Sequence, residues 1–321
     1  MSMPDYVSFS GVGESSWPAP GVFANSILTG FFVPANTISM QALVDRVLNG
    51  LPNSPVRYEV LGRNMFCTFM QIGKCYSGSA QTGYFPYREA MLVIPLLQWR
   101  KGHILPEIVA WPAYMIPDEV IPTVTGREGW GYPKSIGTIG VPVDETDAAP
   151  FTLNTMIFKR LNNDCMGTKQ TLFSINHSGL NYSEPVNNLK GMSDVFTPIF
   201  NGLSIGEELI NQVKARILNA LPEFTLTNIN LKQFRDASET NKACYQSLTT
   251  APLVMTNFRS GRIITGDLNF FAERCQSHQL IEQFGLAVPD NGNANVPVRL
   301  GIELALDFEI RAGTTVWASP S

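Results

Sequence analysis

Residues 300–311 limit the fold more than any other part of the chain. Leu300, Ile302, Leu304, Leu306, Phe308 and Ile310 alternate with Gly301, Glu303, Ala305, Asp307, Glu309 and Arg311. Successive strand side chains point to opposite faces, so a period of two describes a long strand with one dry and one wet face. Such a strand needs antiparallel neighbours and a core beneath it.

Shorter strand signals cover residues 56–60, 65–72, 89–97, 108–115, 151–159, 171–175 and 262–271, most of them bounded by Gly, Pro or Asn. Helical spacing is rarer. Met40, Leu43, Val44, Val47 and Leu48 share one helix face, with Gly50 at the C-cap position. A second helix is predicted over 207–219 and stopped by Pro222, with weaker signals at 237–247 and 272–284. Strands and helices do not alternate regularly, so a doubly wound parallel sheet fits poorly. The pattern predicts an α+β chain, mainly antiparallel, with a barrel-like or sandwich core and few flanking helices, and residues 1–321 read as one domain.

Charged residues make up 16% of the chain, against a typical value of about 25%. Polar surface is therefore scarce, and a homo-oligomer is expected. Net charge is -4, from 23 basic and 27 acidic residues without a block of one sign, so nucleic acid is not an expected partner. The N-terminus has neither a basic nor an apolar targeting region, and the apolar runs 91–97 and 108–116 are far shorter than a membrane span, so a cytoplasmic protein is expected. Cys67, Cys75, Cys165, Cys244 and Cys275 lack the spacing of a zinc site or redox pair and read as reduced thiols. His103, His177 and His278 show no metal spacing, and Gly11-Val12-Gly13 and Gly129-Trp130-Gly131 lack a dinucleotide context. Neither a metal nor another cofactor is expected.

Chemistry concentrates in Gly126-Arg127-Glu128-Gly129-Trp130-Gly131-Tyr132-Pro133-Lys134-Ser135. Its glycines permit close backbone approach, its proline sets a turn, and its lysine arrives among Trp130, Tyr132, Ile136 and Ile139. An ammonium in apolar surroundings is disfavoured by desolvation, and the neutral amine is the form that attacks carbonyls.

Gly-Arg-Glu, three variable residues, then Tyr-Pro-Lys resembles the signature of the acetoacetate decarboxylase family. The resemblance makes Lys134 the Schiff-base lysine and matches Glu89, in Tyr87-Arg88-Glu89, to the family's active-site glutamate. It implies the family's fold, a small keto acid as substrate, and carbon–carbon lyase chemistry: decarboxylation, or aldol and dehydratase chemistry through the same imine. Met115 in Met115-Ile116-Pro117-Asp118 also looks family-like. Arg127 and Glu128 are expected to orient substrate or, preferentially, to pair and hold the lysine loop, with Trp130 and Tyr132 as pocket wall. The chain departs from the family in carrying Ser135 where a second lysine is usual, no carboxylate in residues 66–72 and no arginine in residues 25–32. A non-catalytic binding protein is therefore an alternative.

A rival reading starts at Gly202-Leu203-Ser204-Ile205-Gly206, a G-x-S-x-G pattern followed by Asp236, Asp267 and His278 in hydrolase order. Ser204 with Glu207 three residues later is equally a helix capping box.

Overall fold

The computed structural model describes residues 6–7, 16–187, 225–289 and 292–319. Ser204 and the helix predicted over 207–219 lie outside the described residues.

The larger, ten-stranded sheet contains β1 (Gly21–Pro34), β2 (Val56–Val60), β3 (Asn64–Ser77), β4 (Phe85–Arg100) and β5 (Glu107–Pro117) from the first part of the chain. The smaller, five-stranded sheet takes β6 (Thr138–Gly140), β7 (Phe151–Ile157) and β8 (Thr168–His177). The chain then returns to the larger sheet with β9 (Asn181–Tyr182), β10 (Thr225–Arg235) and β11 (Ala243–Thr265). β12 (Leu268–Ala272) and β13 (Ala294–Val298) complete the smaller sheet, and β14 (Gly301–Ile310) and β15 (Thr315–Ala318) the larger. The order β10-β5-β4-β3-β1-β14-β11 closes on itself, because β11 also pairs with β10. The result is a ring of strands, antiparallel throughout except between β10 and β5.

Alternation divides the core in two. Inside the ring lie Met70, Tyr87, Met91 and Met115 with Ile302 to Ile310 of β14, whose dry face is the one predicted. Outside it, Phe69, Ala90, Leu92 and Ile94 pack against Leu153, Phe173 and Phe270 of the smaller sheet. The wet face of β14 is half-buried, because β11 lays Arg262 on Glu303 at 2.7 Å and Arg259 on Asp307.

Helix α1 (Thr37–Val44) continues as a π-turn over Asp45–Asn49, and Asn36 caps it by accepting from the backbone N–H groups of Ile38 and Ser39. Helix α2 is Val120–Thr125 and α3 is Leu280–Phe284. Three expectations are corrected. Residues 237–247 form a turn and then enter β11, since pairing such as Leu231 with Leu248 outweighs a weak helical propensity. Within 272–284 only α3 is helical, and Gly285 ends it in the left-handed conformation at φ 55°. The strand predicted over 262–271 breaks at Gly266, whose φ is 139°, so that β11 and β12 serve different sheets. No helix among the described residues is long and apolar enough to cross a membrane.

Candidate active site

Glu89 points into the ring because it alternates with Ala90 and Leu92, which face the smaller sheet. It is 2% exposed. Lys134 reaches it from beside β5, the strand next to β4. After α2 the chain makes a π-turn over Gly126–Trp130, reverses at Gly131 with φ 76°, and runs through Tyr132 and Pro133 to bridge Lys134 onto Met115 of β5. Lys134 is 5% exposed, and its Nζ donates to Glu89 Oε2 at 2.6 Å.

Two glycines make this approach feasible. A Cβ on Gly126 would stand 2.7 Å from Cδ and Cε of Lys134. At Gly131 the left-handed φ combines with a Lys232 Cα that would lie 2.6 Å from any Cβ. The rest of the loop is held by its own polar groups. Arg127 Nη1 donates to the Lys134 carbonyl at 2.8 Å, Trp130 Nε1 to the Arg311 carbonyl at 2.8 Å, and Thr249 Oγ1 to the Trp130 carbonyl at 2.8 Å. Ser135 N donates to the Met115 carbonyl at 3.3 Å.

The expected Arg127–Glu128 pair does not form among the described residues. Arg127 holds the Lys134 backbone instead, and Glu128 accepts from the Tyr6 hydroxyl at 3.2 Å. Their side chains are adjacent in a tight turn, where neighbours do not face one another. Ser135 is exposed, so the usual second-lysine position lies outside the cavity.

A cavity of about 30 Å³ opens beside Lys134, with Trp17, Phe23, Cys75, Tyr87, Trp130 and Tyr132 among its walls. Room of this size holds little more than a water molecule or two. Nζ of Lys134 sits 5.6 Å from the centroid of the Tyr132 ring, and the Tyr132 hydroxyl accepts from Asn228 Nδ2 at 3.0 Å. Burial raises the carboxyl of Glu89 above its ordinary value of 4.5, against the opposing charge and hydrogen bond of Lys134. Burial likewise pushes the Cys75 thiol up to about 12 and raises Tyr87 and Tyr132, which keeps all three protonated.

Sequence reasoning missed Cys75 and Trp17. The strand was predicted to end at residue 72, whereas β3 runs on to Ser77 and carries Cys75 to the cavity. Trp17 carries no local signal. Tyr87 was legible, since it lies two residues before Glu89 and so shares its face. Of the hydrolase residues, Asp236 accepts from the backbone and hydroxyl of Ser238, while His278 Nδ1 is engaged by Ser277 Oγ. Among the described residues no group of His, Cys, Asp and Glu gathers as a metal site.

As a fold, the closed ring flanked by a second sheet is similar to that of acetoacetate decarboxylases and acetoacetate decarboxylase-like enzymes of known structure. An acetoacetate decarboxylase from Legionella pneumophila is similar over 99% of this chain and 93% of its own, with TM-score 0.57 and 16% identity. An acetoacetate decarboxylase-like enzyme from Sphingomonas wittichii is similar over 97% and 98%, with TM-score 0.58 and 14% identity. The enduracididine biosynthesis enzyme MppR, solved with pyruvate, is similar over 97% and 95%, with TM-score 0.53 and 13% identity. No protein-family model and no curated protein sequence matches the chain.

Proposed function

We propose that this protein is a carbon–carbon lyase that forms an imine between Lys134 and a small carbonyl compound. The observation that carries the reading is the 2.6 Å contact between Lys134 Nζ and Glu89 Oε2 at the wall of an apolar cavity. The first requirement is a neutral amine. Glu89, whose uncharged acid form burial favours, stands in hydrogen-bond contact with Lys134 to take the ammonium proton.

The amine attacks the carbonyl carbon and water leaves. The protonated imine then accepts the electron pair of a bond beta to nitrogen. Loss of carbon dioxide there is decarboxylation and loss of an aldehyde is aldol cleavage; where the pair comes from a C–H bond, the enamine so formed expels the neighbouring hydroxyl as water, which is dehydration. Glu89 takes or returns the proton in each case. A shared fold with acetoacetate decarboxylases and with MppR supports the class without choosing the bond.

The test is sodium borohydride reduction in the presence of small ketones and keto acids, followed by peptide mass mapping. A reduced adduct on Lys134 is expected, and none in Lys134→Arg, whose guanidinium keeps the charge but has no free amine. Adduct elsewhere, or none, removes the imine from the mechanism.

A further inference from the structure

At about 30 Å³, the cavity beside Lys134 is smaller than any ligand that an imine requires. Such a space takes a water molecule or two, whereas even acetone, the smallest ketone, is larger. One wall must give way before a carbonyl carbon reaches Nζ, and the walls differ in what holds them. Phe23, Cys75, Tyr87 and Ile310 stand on β1, β3, β4 and β14, each hydrogen-bonded to a neighbouring strand on both sides. Trp130, Tyr132 and Lys134 belong to the loop that Arg127, Thr249 and Asn228 tie down. Pro122 and Thr125 are the buried residues of α2. The remaining wall is a strap, residues 16–20, which joins no strand or helix and contributes the half-buried Trp17 and the exposed Pro18.

The strap is pinned from outside the ring. Trp17 N donates to Thr125 Oγ1 at 3.1 Å, Ser77 Oγ to the Pro18 carbonyl at 2.8 Å, Ser79 Oγ to the Ala19 carbonyl at 2.8 Å, and Gly78 N to the Pro20 carbonyl at 2.8 Å. The indole of Trp17 stands edge-on to Phe85, with 5.3 Å between ring centroids. A segment near solvent, held largely by side-chain hydroxyls, opens more readily than a strand paired on both sides.

We propose that Trp17 is the movable wall of the Lys134 cavity and the residue that limits the size of the carbonyl compound reaching the amine. This deepens the imine reading and rests on it for the identity of the ligand. Displacing the indole adds the space of a bicyclic ring and opens Lys134 and Cys75 to solvent together, while the strand walls and the Glu89 contact stay as they are. A small ketone lets the indole return most of the way. A bulky one keeps the strap's hydrogen bonds and the Phe85 contact broken for as long as it is bound, and so binds more weakly.

Two measurements on the full-length chain separate the wall from the imine. The first is alkylation by iodoacetamide under native conditions, followed by peptide mass mapping. Cys75 lines the cavity, whereas Cys67 of the same strand packs in the outer core and reports general loosening. Trp17→Ala is expected to speed alkylation of Cys75 by at least about 10-fold, with Cys67 unchanged. Ser79→Ala leaves every described wall of the cavity in place and removes one pin of the strap, so Cys75 is expected to react about 2–10-fold faster. This second variant decides the matter should Trp17→Ala fail to fold. Unchanged Cys75 rates, or a matching rise at Cys67, overturn the proposal. The second measurement is borohydride labelling of Lys134 with acetone and with benzylacetone. The unaltered protein is expected to favour acetone, Trp17→Ala to shrink that preference by at least about 10-fold, and Trp17→Phe to keep most of it. An unchanged preference in Trp17→Ala overturns the size limit. If Cys75 responds while neither ketone labels Lys134 in any variant, the imine reading falls and Trp17 remains the wall of the cavity.

Discussion

Removing either member of the buried pair has consequences that depend on pH. In the folded protein Lys134 pulls the Glu89 carboxyl down while burial pushes it up, and burial prevails. In Lys134→Ala the downward pull is gone, so the folded-state value rises further. An acid raised in the folded state contributes stability that is fully present below its unfolded value, here 4.5, and is lost as pH climbs through the folded value. Lys134→Ala is therefore expected to destabilise by about 3–5 kcal/mol at pH 8 and by clearly less at pH 5, as urea titration would measure. Equal losses at both pH values would show that Glu89 does not carry the penalty. Glu89→Gln separates the two steps of the chemistry. Turnover is expected to fall by about 10²–10⁴-fold while borohydride still labels Lys134, because a buried ammonium left without a partner charge is disfavoured, so the amine still forms and only the later proton shuttle is lost. Lys134 and Glu89 were legible from a short motif and its matching upstream residue. Cys75 was not, because strand length beyond residue 72 depends on pairing with β1, as where Cys75 lies opposite Phe23.

The lysine loop works as an element because its glycines differ in what they permit. Gly131 combines a φ of 76° with the Lys232 backbone close by, whereas Gly129 has nothing within 4 Å of a Cβ position and no left-handed φ. Gly131→Ala is expected to cost at least about 1–2 kcal/mol from the left-handed conformation alone, and more from the contact. Gly129→Ala is expected to be neutral or stabilising by up to about 1 kcal/mol through the unfolded state. Thermal unfolding of the two variants side by side checks this, and a reversed order would mean the turn is not what sets the lysine. The sequence motif pointed to a close approach at this loop but not to its partner. Local spacing says nothing about β10, which supplies Lys232 behind Gly131 and Asn228 beneath Tyr132.

At the scale of the molecule, the ring and the smaller sheet are joined through aromatic contacts across the outer core. Phe173 of β8 lies with its ring centroid 5.9 Å from Phe69 of β3 at an edge-on angle, and 5.9 Å from Phe270 of β12. Phe173→Ala is expected to destabilise by about 3–5 kcal/mol. A double-mutant cycle with Phe69→Ala is expected to return a coupling of about 0.5–1.5 kcal/mol, measured by denaturant unfolding. Zero coupling would place the joint between the sheets elsewhere in the core.

Side-chain alternation is a local property, so β14 could be read along the chain, and its dry face needed no knowledge of its neighbours. The same holds for the Met40–Leu43–Val44 face of α1 and for the Gly/Pro turn that delivers Lys134. β1 could not be read in this way. Asn25 adopts φ 54° at a bulge in its pairing with β14, so Phe23 and Leu28 both reach the ring interior while Phe31 and Val33 face outward. A single inserted residue inverts the alternation, which hides the period of two. β11 was concealed for another reason. Its first residues have no strong strand preference, and their pairing with β10, joined by β15 at Ser247–Thr249, is what commits them to the ring. Sequence alone thus determined which residues repeat with strand period and which lysine a turn presents. Closure of the ring, and with it the burial that sets Lys134 against Glu89, came from pairing between strands far apart in the chain, where local pattern carries no information.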